Sequence, residues 1–211
     1  MATVLIIAPH PDDEVLGCGG VIQRHIMRGD EVHAHIVANR VKNHVEDPVY
    51  IAETCAAVED VRGFLGLKSA RLGGLHDEQL DRLLIDVIRP IEETVGELQP
   101  DIVYVPWSGD SDQDHRAVSA ACRVATRFVA RVLAYEIPGP SKGFDPTWYV
   151  ELSEAMLETK IAAFLKYAGE ERPYPHPRSV EGLRILSRFR GLEAGFAAAE
   201  AFILLRGSDT L

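Results

Sequence analysis

The chain reads as an α/β protein built on a mostly parallel sheet with helices on both faces. Three observations carry that reading. Thr3–Ile7 and Ile102–Pro106 are continuous apolar runs rich in β-branched residues, as in strands covered on both faces. Such runs alternate with longer stretches whose apolar residues recur at helical spacing, the order of a parallel sheet. Polar residues gather where a strand run ends and a helical run begins, the edge at which open α/β sheets take ligands.

Taken in order, Thr3–Ile7 is a first strand. A helix opens near Val15 and runs to about Met27, and Glu31–Ala38 is a second strand. His33 and His35 share a face of that strand and read as structural residues of a covered sheet. Pro48–Gly66 is a second helix, Ala70–Leu72 a short strand ended by Gly73-Gly74, and Gln79–Leu98 a third helix with Leu80, Leu83, Leu84, Val87, Ile88, Ile91 and Val95 on one stripe. Asp101–Pro106 is a buried strand followed by a helix from about Asp112. Arg131–Tyr135 and 148–152 are strands, Ser153 caps a helix, Ser179–Arg190 is a helix, and Ala199–Arg206 is a final strand or docking segment. Neither repeat nor linker divides the chain, so one domain over 1–211 is expected.

Composition narrows the partners. A 211-residue chain with formal net charge −10 argues against nucleic-acid or anionic-membrane surfaces. Three cysteines, Cys18, Cys55 and Cys122, are odd in number and far apart. They read as buried free thiols, not as a disulfide framework or a thiolate metal site. No signal core and no bilayer-length apolar run stands at the N-terminus, so the expected location is the cytoplasm.

The chemistry concentrates in Ala8-Pro9-His10-Pro11-Asp12-Asp13-Glu14, directly after the first strand. His10 and Asp13 can both reach one divalent cation, and zinc accepts such nitrogen and oxygen ligands. Asp12, between them, can instead face water as a general base. The alternative is that Asp12 or Asp13 caps the helix that follows. His115 stands at a second strand-to-helix junction and would be the third ligand of an open site. Asp110, Asp112 and Asp114 make that junction acidic, and Asp114 is placed to hold a histidine or a water. Asn39–Asp47 reads as a loop over the site whose His44 can touch substrate, the alternative being a solvated loop histidine. Gly17-x-Gly19-Gly20 lacks the spacing of a dinucleotide fingerprint; those glycines let the helix approach the sheet.

The first motif, followed by Gly17-Cys18-Gly19-Gly20, resembles the signature of the LmbE-like, or PIG-L, family of zinc-dependent N-acetylglucosaminyl deacetylases and related amide hydrolases. The stretches His176-Pro177-Arg178-Ser179, Arg190-Gly191 and Ala199-Glu200-Ala201-Phe202 also resemble members of it. The resemblance implies a Rossmann-like, LmbE-like fold and one Zn²⁺ per chain on His10, Asp13 and His115, with another divalent metal acceptable. It further implies Asp12 as base, a small-molecule amino-sugar or amide substrate, and a homo-oligomer.

The family's second motif is His-x-Asp-His, and here it reads Asp112-Gln113-Asp114-His115. An ionised Asp112 cannot donate to an oxyanion. Either Asp112 is protonated and acts as the donor, or another residue supplies it. His176, in a Pro-flanked loop, is the candidate, and Arg178 beside it can bind a substrate hydroxyl or phosphate. The expected function is removal of an N-acetyl group from an N-acetylglucosamine-type amino sugar or its conjugate. The alternatives are hydrolysis of a non-sugar amide and a non-catalytic metal-binding module.

Overall fold

The computed structural model describes residues 1–41, 44–82, 84–139 and 143–208. Seven strands form one sheet: β1 (Thr3–Ala8), β2 (Glu31–Ala38), β3 (Ser69–Leu75), β4 (Ile102–Pro106), β5 (Arg131–Tyr135), β6 (Trp148–Glu151) and β7 (Ala199–Gly207). Their spatial order is β3-β2-β1-β4-β5-β7-β6. The pairs from β3 through β5 are parallel, while β7 runs antiparallel to both β5 and β6. The six helices of the described residues are α1 (Asp13–Met27), α2 (Pro48–Leu65), α3 (Leu84–Leu98), α4 (Gln113–Ala125), α5 (Glu154–Phe164) and α6 (Val180–Ala194). None is long and apolar enough to cross a membrane.

The alternation of strand side chains builds two cores. Val4, Ile6 and Ala8 face α1, α2, α5 and α6, while Leu5 and Ile7 face α3 and α4. The fold is therefore the expected mostly parallel α/β sheet with helices on both faces. Gly17 lets α1 lie against the sheet, since a Cβ there would sit 2.2 Å from the Tyr135 ring. The Tyr135 hydroxyl in turn donates to the Ile7 carbonyl at 2.8 Å.

Three local expectations are corrected. The third helix begins at Leu84, not Gln79. The amides of Glu78 and Leu80 donate instead to the Asp114 carboxylate, at 2.5 and 3.0 Å, so that stretch is a turn; Leu83 lies outside the described residues. The last helix passes through Gly191 and ends at Gly195, which has φ 76°. Gly191 serves close packing, because a Cβ there would lie 2.7 Å from the Phe196 carbonyl oxygen. Cys18 and Cys122 are buried free thiols, but Cys55 is only half-buried.

From β1 the chain winds outward to β2 and β3, then returns to place β4 on the other side of β1. The winding direction thus reverses between β1 and β4. The crevice at the carboxyl ends of those two strands is where such sheets bind ligands.

Candidate active site and metal centre

The loop after β1 brings His10, Asp12 and Asp13 to this crevice, and the loop after β4 brings Asp110, Asp114 and His115. All six are buried. Asp13 Oδ2 lies 3.3 Å from both His10 Nδ1 and His115 Nε2. Tetrahedral bonds of about 2.0–2.1 Å have ligand-to-ligand edges of about 3.3–3.4 Å, and the two edges from Asp13 match that spacing, so the three residues can hold a metal ion.

Each imidazole is held from behind. His10 Nε2 lies 2.8 Å from Asp77 Oδ1 and 3.2 Å from Asp114 Oδ2. His115 Nδ1 lies 3.2 Å from Asp110 Oδ2. A ring nitrogen that donates to a carboxylate leaves the other as a lone pair. The nitrogens so freed, His10 Nδ1 and His115 Nε2, are buried without a hydrogen-bond partner, as is Asp13 Oδ1. Buried polar atoms are rarely left unsatisfied, and a cation held between the two imidazoles and the Asp13 carboxylate would engage both freed nitrogens. His10, Asp77 and Asp114 also form a compact group, but there His10 presents the nitrogen already engaged by carboxylates.

The electrostatics agree. Burial would lower the pKa of His10, yet Asp114, Asp13 and Asp77 hold it well above the ordinary imidazole value. Burial likewise opposes a charged His115, but Asp13 and Asp110 raise it to about 9. Burial would raise Asp13, and the His115 and His10 imidazoles bring it well below the usual carboxylate range. The field that draws protons onto these imidazoles would equally favour a dication in their place.

Asp12 occupies the N-cap position of α1 but makes no side-chain cap hydrogen bond; its backbone sits at φ 109° and ψ −30°. Its Oδ2 receives Arg178 Nη1 at 3.2 Å, with Arg40 Nη2 at 3.8 Å. Its Oδ1 is buried and unpartnered. Burial pushes the Asp12 carboxyl up and Arg40 and Arg178 pull it back, leaving it at about 6, in the range suited to a general base near neutral pH. Asp112, by contrast, caps α4: its Oδ1 accepts the Asp114 amide at 2.8 Å.

Two cavities adjoin this centre. One, of ≈ 440 Å³, is lined by His115, Asp112, His176 and Arg178. The other, of ≈ 950 Å³, is lined by His44, Asp77, Glu78 and Tyr50, and Arg40, Asp112, Glu170 and Arg172 border both. His176 is exposed, and its Nδ1 accepts the Arg178 amide at 3.0 Å. His44 is exposed and pairs with Glu78 at 2.8 Å. His33 and His35 lie away from the cavities, bonded to Ser69 and Thr94 respectively.

Sequence reasoning missed Arg40, Asp77 and Glu170. Arg40 follows β2 and Asp77 follows β3, so both stand at the same carboxyl edge as the first motif. That position was the one signal available for them. Glu170 binds Arg40 Nη2 at 3.0 Å, the Tyr50 hydroxyl at 2.7 Å and Arg178 at 3.5 Å. Nothing in its local sequence marks it.

Residues 5–126 match the family model described as PIG-L, GlcNAc-PI de-N-acetylase, and the chain belongs to that family of deacetylases. The Escherichia coli K12 protein described as uncharacterized deacetylase YaiS is 28% identical over 169 residues, covering 78% of this chain and 89% of that one. Among solved structures, the N,N'-diacetylchitobiose deacetylase of Pyrococcus horikoshii superposes with TM-score 0.82 at 21% identity, over 98% of this chain and 84% of that one. GalB, the 4-carboxy-2-hydroxymuconate hydratase of Pseudomonas putida KT2440, superposes with TM-score 0.83 at 17% identity, over all of both chains. These two likenesses carry the fold; the hydratase shows that the fold alone does not fix the reaction.

Proposed function

We propose that this deacetylase is a zinc-dependent hydrolase that removes the N-acetyl group of an N-acetylglucosamine-type amino sugar or its conjugate. The observation that carries the reading is the set of buried, unpartnered atoms: His10 Nδ1, Asp13 Oδ1, His115 Nε2 and, beside them, Asp12 Oδ1. His10, Asp13 and His115 would hold the ion. A bound Zn²⁺ would lower the pKa of a water and polarise the amide carbonyl.

The chain's own residues then have distinct tasks. Asp77, Asp114 and Asp110 fix the tautomers of the two imidazoles. Arg178 and Arg40 hold Asp12 through Oδ2, so that Oδ1 takes the proton of the attacking water. Asp12 returns that proton to the nitrogen as the C–N bond breaks, and the products are acetate and a free amine. The donor absent from the second motif is His176: Nδ1 accepts the Arg178 amide, so the ring's donor is its Nε2–H, at the wall of the smaller cavity. Asp112 keeps its capping role. Arg178 serves Asp12 first and substrate only at the cavity wall, where His44 contributes from the larger chamber.

An amino sugar is favoured by the family's description, by the diacetylchitobiose named for one neighbour, and by a cavity wall of mostly polar and charged side chains able to hydrogen-bond sugar hydroxyls. We further take residues 1–211 as one domain, since both cores lie on the two faces of one sheet. The test is acetate release across N-acetylated amino sugars, their phosphorylated conjugates and non-sugar N-acetyl amides. Turnover confined to the sugar amides is expected. Turnover of non-sugar amides alone would contradict the substrate, and no acetate from any of them would contradict the reaction.

A further inference from the structure

Asp12 is a non-glycine residue at φ 109°, a backbone conformation L side chains seldom adopt unless the surroundings impose it. What imposes it is visible on both sides of the residue. The Asp12 carbonyl accepts the amides of Val15 and Leu16, at 3.1 and 2.9 Å, as the first turn of α1 forms. Its N–H points the other way and donates to Glu14 Oε2 at 3.1 Å. Glu14 is buried, and its second oxygen, Oε1, accepts the hydroxyl of Tyr167, itself only 2% exposed. Tyr167 lies on the connection between α5 and α6, which also carries Glu170, His176 and Arg178. One connection therefore grips Asp12 twice: Arg178 holds the carboxylate, and Tyr167, through Glu14, holds the peptide. Neither Glu14 nor Tyr167 lines either cavity.

We propose that Tyr167 is a positioning residue for the base. Its hydroxyl locks the Glu14 carboxyl group, which locks the Asp12 peptide plane and with it the aim of Oδ1. The inference rests on the role given to Asp12 above. Without the Tyr167 hydroxyl, Glu14 is free to turn away, the Asp12 N–H loses its acceptor, and the residue relaxes from φ 109°. Misplacement of a reacting group by about 1 Å costs on the order of 10²-fold in rate.

The test is Tyr167→Phe, which keeps the ring in its core position. Turnover on the best N-acetyl substrate should fall about 10–100-fold, with KM and bound metal unchanged. In an Asp12→Asn background the same substitution should cost nothing further, because the residue it acts through is already disabled. An unchanged kcat, or an equal loss in both backgrounds, would overturn the proposal; the second result would mark Tyr167 as merely structural. Glu14→Gln is the second variant. Its amide oxygen can still accept the Asp12 N–H while its NH₂ donates to the Tyr167 oxygen, so a smaller loss than in Tyr167→Phe is expected, and a larger one would count against the relay. A crystal structure of Tyr167→Phe separates this proposal from the assigned reaction. Asp12 should leave φ near 109°, and an unmoved Asp12 refutes the positioning role whether or not the wild type releases acetate.

Discussion

Lys160→Met should destabilise the protein by about 3–5 kcal/mol, the range for removing one partner of a buried ion pair. Lys160 Nζ lies 2.7 Å from Glu200 Oε1 and 2.8 Å from the Leu16 carbonyl. The two side chains are 5% and 4% exposed. At this separation and an effective dielectric constant of about 20, the attraction is about 6 kcal/mol, partly offset by desolvation of both charges. Glu200 cannot escape when its partner is removed, because its two oxygens accept the amides of Gly20 and Val21 at 2.8 and 2.7 Å. The pair thereby joins α5 and β7 to the middle of α1, whose first residue is Asp13. For a chain of this length each kcal/mol moves Tm by roughly 2–4 °C, so a fall of about 10 °C is expected by thermal denaturation. Lys160→Met with Glu200→Gln should be more stable than Lys160→Met alone, since no unpaired charge then remains buried. A Lys160→Met protein within about 1 kcal/mol of wild type by urea unfolding would show that the pair is not what holds α1 to α5 and β7.

Two further outcomes follow from the geometry. Asp110→Asn weakens the anchor of His115 Nδ1 and should reduce zinc affinity about 10–100-fold, measured by competition with a chromophoric chelator; unchanged affinity would remove Asp110 from that role. His35 is 1% exposed, and burial first, then the Arg71 charge, lower its pKa to about 4. The folded value lies below the unfolded one near 6.5, so the unfolded chain takes up the proton first. This contribution is complete above about pH 6.5 and is lost progressively toward pH 4, in total about 3 kcal/mol. Denaturant unfolding across that window should show a shallower acid loss in His35→Gln than in wild type, and identical slopes would contradict the assignment.

What could be read from the sequence was whatever is local. The first motif directly follows a strand of buried residues, so chain order alone places His10, Asp12 and Asp13 at the sheet edge. The second junction repeats the pattern and delivers His115 to the same crevice, because β4 is the strand beside β1. The missing parts arrive singly from distant elements. Asp77 and Arg40 each stand alone after a strand, and Glu170 and Tyr167 lie on an irregular connection with no periodicity to mark them. Only the assembled sheet brings them to His10, Asp12 and Glu14. The error at Gln79 has the same origin. An apolar period continued through a stretch whose amides were claimed by Asp114, some 34 residues further along the chain. Asp112, one of two candidates for the donor that the second motif lacks, uses Oδ1 to cap its own helix, as residues at N-caps commonly do.

In the proposed site a single ion sits on His10, Asp13 and His115, with Asp12 beside it as base and not as ligand. The most direct measurement is metal content by elemental analysis, together with acetate release, in wild type, Asp12→Asn and His115→Ala. About one zinc per chain is expected in wild type and in Asp12→Asn, with turnover in the latter reduced about 10²–10⁴-fold, and loss of the metal from His115→Ala. Stoichiometric zinc retained by His115→Ala, or zinc lost from Asp12→Asn, would contradict this assignment.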